Sequence, residues 1–347
     1  MKSPLTGRPS RRITRRRAAR GLFTSLAVAP LLVAAAACSS TSGTSVPATS
    51  ASAGSGSSAP AGAPSSAAGA PSGGAATFPV TVTAGNGPVT VATQPKAIVS
   101  LAPSLTEMLF AIGAGPQVKA VDDQSTFPAE APRTKLSGFK PNAEAIAGYS
   151  PDLVVLSGDT GGLVAALTKL KVPVLLLEAP KTIDDSYTEE LAIGRVTGHE
   201  AQAQQVVETT RKRIAAAVAA APKEGGRKVY HELDPTYYSV TSATFIGDLY
   251  AKFGLTNIAD SAPKAAGGYP QLSAEFVISA APDLIVLADG KCCQQDAAAV
   301  AKRKAFASVP AVMGGRVLVV DDDIASRWGP RLGDFADQIA KTLGGAG

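Results

Sequence analysis

Two stretches decide the fold: Asn142-Ala-Glu144-Ala-Ile146-Ala-Gly-Tyr-Ser-Pro151-Asp152-Leu-Val-Val-Leu156 and Ser273-Ala-Glu275-Phe-Val277-Ile-Ser-Ala-Ala-Pro282-Asp283-Leu-Ile-Val-Leu287. In each, a capping residue stands two positions before a Glu. That Glu stands seven positions before Pro-Asp-Leu, and an apolar run follows. The order reads as helix start, short helix, turn and buried strand. Two copies predict two similar α/β lobes, each presenting one acidic residue, Glu144 or Glu275, at the same structural position. A carboxylate in a first turn also favours its own helix macrodipole, by about 0.3–1 kcal/mol, and needs no partner for that.

Outward from the repeats, Ala97–Leu101, Val174–Leu177, Lys228–His231 and Arg316–Val320 read as further strands, alternating with helices. Ser104-Leu-Thr-Glu107 has capping-box spacing and opens an apolar helix that runs to Ile112. Residues 199–221 contain no Gly or Pro and carry an apolar stripe through Ala203, Val206, Val207, Ile214 and Val218. This run predicts one long helix bridging the lobes. The expected divisions are a first lobe at 78–197, a bridging helix at 198–222 and a second lobe at 223–347.

The ends of the chain are different in kind. The formal charge of +5 comes from 33 basic and 28 acidic residues. Eight of the basic ones (Lys2, Arg8, Arg11, Arg12, Arg15, Arg16, Arg17, Arg20) precede residue 21, so the remainder has 25 basic against 28 acidic, a net of −3. That balance removes the electrostatic footprint of a nucleic-acid-binding protein. The basic cluster and the apolar run to Ala37 read as a secretory signal, too short for a permanent span. Ala-Ala-Ala-Cys38 resembles a lipobox, predicting lipidation of Cys38 after removal of residues 1–37. Ala35 stands where such a motif usually has Leu, and Arg11-Arg12 leaves twin-arginine export open beside the general route. Residues 38–77, nearly all Ser, Ala, Gly, Pro and Thr, read as a disordered tether.

Catalytic motifs are scarce. Gly158-Asp-Thr160-Gly-Gly162 imitates a serine-protease surround, but with Thr at the nucleophile position and no preceding His. No Gly-x-Ser-x-Gly elbow or P-loop occurs in the folded part. Two histidines, His199 and His231, exclude a three-His metal site. Cys292 and Cys293 are adjacent and outside the cytoplasm could form a disulfide, stay reduced or bind a soft metal.

The repeated block, Tyr269-Pro-Gln-Leu-Ser and Ile98-Val-Ser-Leu-Ala-Pro-Ser-Leu-Thr-Glu107 together resemble the class III periplasmic binding proteins, the substrate-binding components of ABC importers for cobalamin, ferric siderophores and haem. The resemblance covers about Pro95 to Leu343. It implies two Rossmann-like α/β lobes joined by a single long helix, with ligand held between them, no catalysis and no resident cofactor. Among members the cobalamin-binding ones are most similar. By that likeness Glu144 and Glu275 meet arginines of an ABC permease dimer, itself coupled to ATPase subunits. The implied ligand contacts are Phe127, Tyr269 in place of a cleft Trp, and the pair Asp323 and Arg327. Tyr237, Tyr238 and Phe245 are further cleft aromatics. Two positions depart from the pattern: Gly138 and Ser157 stand where tryptophans are expected, with Phe139 beside the first. The expected cargo is a corrinoid, with a ferric siderophore or haem (axial ligand Tyr237, Tyr238 or His231) as alternatives, and a secreted hydrolase as a remote one.

Overall fold

The computed structural model describes residues 77–223, 225–262 and 266–345, all within one compact unit. The leader, Cys38 and all of the tether but its last residue lie outside the described residues. Among those described, no helix is long and apolar enough to cross a membrane.

An antiparallel hairpin, β1 (Val80–Ala84) and β2 (Gly87–Val91), precedes the first lobe. The first lobe is built on β3 (Ile98–Ser100), β4 (Val118–Val121), β5 (Leu153–Leu156) and β6 (Val174–Leu176). The second is built on β7 (Lys228–Glu232), β8 (Thr256–Asn257), β9 (Leu284–Leu287) and β10 (Val317–Val319). The sheet orders are β4-β3-β5-β6 and β8-β7-β9-β10, all pairs parallel, so the lobes share one topology. The principal helices through the start of β9 are α1 (Pro103–Ala111), α2 (Ala143–Ala147), α3 (Leu163–Lys169), α4 (Ile183–Thr197), α5 (Glu200–Ala220), α6 (Phe245–Lys252) and α7 (Ala274–Ala280).

The repeated Pro-Asp has a structural task. Asp152 accepts from the backbone N–H groups of Lys96 and Ala97 at 2.7 and 3.0 Å, and Asp283 accepts from Lys228 N–H at 2.9 Å. Their own N–H groups donate to Ala97 and Lys228 carbonyls. Each aspartate thus pins the start of its lobe's first strand to its third, and sets their register.

The expected long helix is α5, whose 21 residues span about 32 Å at 1.5 Å per residue. Ala203 joins the first-lobe core, while Val207, Ile214 and Ala217 join that of the second. α4 lies beside it and also reaches both: Ile183 and Tyr187 pack in the second core, Ile193 and Val196 in the first. A capping box at Thr182–Asp185 starts α4, and Gly198, at φ 80°, ends it.

The expected capping box at Ser104–Glu107 is not formed. α1 begins two residues earlier, with Pro103 at its first position and Ala102 as cap. Ser104 and Glu107 are instead buried and face the second lobe. Glu107 accepts from Arg327 Nη1 at 2.8 Å and from Arg331 Nε and Nη2 at 2.8 and 2.5 Å. Ser104 Oγ accepts from Trp328 N–H, and Ser186 Oγ on α4 donates to the Trp328 carbonyl at 2.6 Å. The Trp328 indole donates to Glu189 at 2.8 Å and packs against both lobe cores. Residues 327–331 of the second lobe therefore form a joint with α1 and α4.

Two predictions follow from this packing. Removing one partner of a buried ion pair leaves the other uncompensated, at a cost of about 3–5 kcal/mol. Glu107→Ala is therefore expected to lower the unfolding free energy from denaturant titration by that order, stranding Arg331 and leaving Arg327 to Asp323 and the Gln124 carbonyl, whereas Glu144→Ala at an exposed helix start changes it little. A stability loss for Glu107→Ala no larger than for Glu144→Ala would refute the joint's role.

The second concerns Glu190 on α4, which is 1% exposed, with Oε1 unpartnered. Burial pushes its pKa up to about 8 from 4.5. A raised carboxyl favours folding fully only below its unfolded value. Stability should therefore decline as pH rises from about 4.5 to 8, by up to about 1.4 kcal/mol per unit. Glu190→Gln is expected to reduce that slope, the remainder coming from Glu189, whose pKa burial also raises to about 8, and to raise the melting temperature at pH 8. An unchanged slope in the variant would contradict it.

Candidate functional site

In open parallel sheets the ligand crevice lies outside the strands' carboxyl ends, where strand order reverses. In the first lobe that place is between β3 and β5, and it holds a cavity of about 240 Å³. Its lining comes from the ends of three strands. Leu101, Ala102 and Pro103 follow β3; Asp122 and Gln124 follow β4; Leu156, Ser157, Gly158 and Thr160 end or follow β5. Gly138, Phe139 and Leu163 complete it.

The two departures from the expected tryptophans, Gly138 and Ser157, both line this cavity. Gly138 is required there: an added Cβ would stand 2.5 Å from the Leu101 carbonyl oxygen. Phe139, beside it, is 76% exposed at the mouth.

Asp122 is the polar residue of this wall that sequence reading missed. It is 3% exposed, and Ser125 Oγ donates to its Oδ1. Ser125, Thr106 and Ser100 continue the hydrogen-bond chain inward. Burial raises the Asp122 pKa, opposed by the hydrogen bonds from Ser125 and the Gln124 backbone.

Superposing the two lobes by register aligns Leu101 with Glu232 and Gly158 with Asp289. Where the first lobe is apolar and open, the second therefore carries two buried carboxylates. Glu232 is bound by Arg303 through both oxygens at 2.5 and 2.6 Å. Gln295 accepts from Arg303 as well. Asp289 is fully buried, and burial together with the neighbouring Glu232 carboxylate pushes its pKa up to about 7. Cys292 and Cys293 follow directly, joined as a disulfide.

The expected ligand residues divide into groups. Tyr238 and Tyr269 are half-exposed, and a bridge between Tyr238 and Gln271 sets them at one edge of the second lobe. Tyr237, at φ 69°, stacks on Phe306 with the Arg303 guanidinium 5.6 Å from its ring. Phe127 lines a separate cavity of about 200 Å³ with Phe110, Pro128 and Pro330, the Arg331 guanidinium 4.4 Å over its ring.

Two expectations are corrected by burial. Phe245 is 2% exposed and packs edge-on to Trp328 in the second-lobe core, so it offers no cleft surface. His231 is fully buried, bonded through Nδ1 to the Tyr250 hydroxyl at 2.6 Å, and its pKa falls to about 3; it is not placed to bind haem iron. Asp323 and Arg327 do meet, at 2.7 Å, and Arg327 also donates to Glu107 and to the Gln124 carbonyl.

Glu144 and Glu275 hold corresponding places. Each is exposed in the first turn of its helix, with Asn142 capping α2 and Ser273 capping α7. Neither lines the first-lobe cavity. Among the described residues no group of three or more His, Cys, Asp or Glu is arranged to hold a metal ion.

Comparisons with known proteins agree with this architecture. The periplasmic binding protein family model matches residues 98–324. The ABC transporter substrate-binding lipoprotein YvrC of Bacillus subtilis is 31% identical over 277 residues, covering 77% of this chain and 86% of its own. A cobalamin-binding protein of Halobacterium salinarum is 30% identical over 268 residues, 74% of this chain and 72% of its own. Among solved structures, a possible iron-binding periplasmic solute-binding protein of Staphylococcus epidermidis superposes with a TM-score of 0.62 at 26% identity, covering 72% of this chain and 99% of its own. With two parallel-sheet lobes, a cavity at the strand ends and a family match over most of the folded chain, this protein belongs to the periplasmic binding proteins that serve ABC transporters as substrate-binding components.

Proposed function

We propose that this protein captures a corrinoid outside the cytoplasm and delivers it to an ABC permease. The observation that carries the choice of ligand is the chemistry of the first-lobe cavity. Its lining has no basic side chain, five aliphatic residues or prolines at the strand and helix ends, one exposed phenylalanine and one buried carboxylate. An anionic ferric catecholate or the propionates of haem call for cations. Arg327, the residue that would serve them, already has its guanidinium satisfied by Glu107 and Asp323. A large neutral ring decorated with amides fits apolar walls with a few fixed polar groups. The cobalamin-binding relative supports this reading, and the iron-binding structural neighbour supports the alternative of a ferric siderophore.

Family members are binding proteins, so the hydrolase alternative is set aside. The lipoprotein relative supports attachment through Cys38 to the outer face of the cell membrane. The paired Glu144 and Glu275 form the docking points for the two permease subunits. Their equal placement on two lobes of one topology suits a partner of two-fold symmetry.

Calorimetry with cyanocobalamin and a ferric hydroxamate is expected to show tight binding of the first and weak binding of the second. The reverse order would assign the protein to iron uptake.

In cells, Glu144→Arg/Glu275→Arg is expected to abolish uptake more fully than either single change, at normal protein level and with cyanocobalamin affinity unchanged, while Cys38→Ser releases the protein from the membrane fraction. Normal uptake by the double variant would leave the glutamates as helix-start residues, and membrane retention of Cys38→Ser would remove the lipid anchor.

A further inference from the structure

The lobes share one topology but not one wall. Glu232, Asp289, Arg303 and Gln295 fill the strand-order reversal of the second lobe with its own ion pair. At the matching positions the first lobe has Leu101 and Gly158, and the space stays open. At about 240 Å³ that space is smaller than the roughly 300–1,000 Å³ of sites that enclose a whole small molecule. It takes a part of a ligand rather than the whole.

Within it stands one buried side chain with unused hydrogen-bonding capacity. Asp122 Oδ1 accepts from Ser125. The Gln124 backbone N–H also donates to the carboxylate, and Asp122 Oδ2 lies beside Gly138 in the cavity lining, 3.4 Å from where a Cβ would be. Ser125, Thr106 and Ser100 hold the carboxylate from behind, so it has one orientation. An ionised carboxylate accepts about four hydrogen bonds, so two protein donors leave room for a ligand N–H or O–H from the cavity side.

We propose that Asp122 is a specificity-determining residue, the acceptor at the base of a first-lobe subsite for a neutral, donor-bearing arm of the ligand. This rests on the corrinoid reading above, in which the arm is a primary amide of the ring periphery. The subsite rejects a carboxylate in the same place, because two anions would then share a dry cavity.

The test uses cyanocobalamin and its derivatives in which a single amide arm is hydrolysed to the acid, titrated into the full chain. At least one derivative is expected to bind about tenfold or more weakly than cyanocobalamin to the unaltered protein. Asp122→Asn is expected to narrow that gap to about twofold. Equal ratios in both proteins for every derivative would overturn the subsite and leave Asp122 as a holder of Ser125. A second variant does not disturb the carboxylate. Gly158 lines the cavity; an added Cβ there meets nothing within 4 Å and its φ is not in the left-handed region, so Gly158→Leu adds bulk at the cavity wall without backbone strain. It should cut cyanocobalamin affinity by about tenfold at an unchanged melting temperature; unchanged affinity would overturn the proposal. Absence of cyanocobalamin binding to the unaltered protein, with a ferric complex bound instead, would defeat the corrinoid reading itself and is distinct from either result.

Discussion

One carboxylate, Glu107, is buried between two arginines of the opposite lobe. An ionised acid in the dry interior must be paired and hydrogen-bonded or lose its charge. Both Glu107 oxygens are engaged by Arg327 and Arg331. That requirement fixes residues 327–331 against α1, and with them Trp328, whose ring joins the two lobe cores. α4 and α5 then have a defined interface to span. Such a pair contributes less net stability than its geometry suggests, since well-packed apolar residues often do as well. What it supplies is orientation: the fork of each guanidinium accepts the carboxylate in few arrangements.

The joint also shapes the chemistry of the cleft. Two arginines near the strand ends would otherwise make that region attractive to anions. Satisfied by Glu107 and Asp323, they leave the first-lobe wall with a carboxylate as its charged group. The scaffold is duplicated down to the aspartates that pin first strand to third. The site is not duplicated, because the residues just past the strands diverge. A shared fold sets where a ligand can sit, and the local side chains decide which ligand that is.

The repeated block made both lobes legible, since its spacing depends only on local periodicity and turn chemistry. The strands at 153–156 and 284–287 fall where the apolar runs predict, and the long helix lies within two residues of its expected ends. The hairpin at 80–91 was readable from Val82, Val89 and Val91 alternating with Thr or Pro, but the weight of the low-complexity segment before it hid the pattern. β8 has two residues, too few to show a period. Ser104 and Glu107 had the spacing of a capping box, yet Pro103 was the better start. An acid among Leu105, Met108 and Leu109 on an apolar helix signals a buried partner. Asp122 carried no local signal, because its importance comes from Gly138, sixteen residues on, approaching the Leu101 carbonyl. Phe245 belongs to the core for the same kind of reason, since Trp328, 83 residues on, covers it.

The expected pair Asp323 and Arg327 illustrates how a residue can govern a cleft without lining the cavity seen there. Asp322 accepts from the backbone N–H groups of Lys291 and Cys292, at 3.1 and 2.9 Å, and so holds the turn that contains the disulfide. Lys291 Nζ donates to Asp323 at 3.0 Å, Asp323 accepts from Arg327, and Arg327 donates to Glu107. The turn after β9 is the second-lobe counterpart of the loop after β5 that lines the first-lobe cavity. A continuous run of charge-assisted bonds therefore ties the second-lobe wall to α1, whose start follows directly on Leu101 and Ala102 in the first-lobe wall. The exposed Lys291–Asp323 link is worth little alone; the strength lies at the buried end, where Glu107 has no water to turn to. The separation of the two walls is thus set at the joint, from the side opposite to any ligand contact that Asp122 makes.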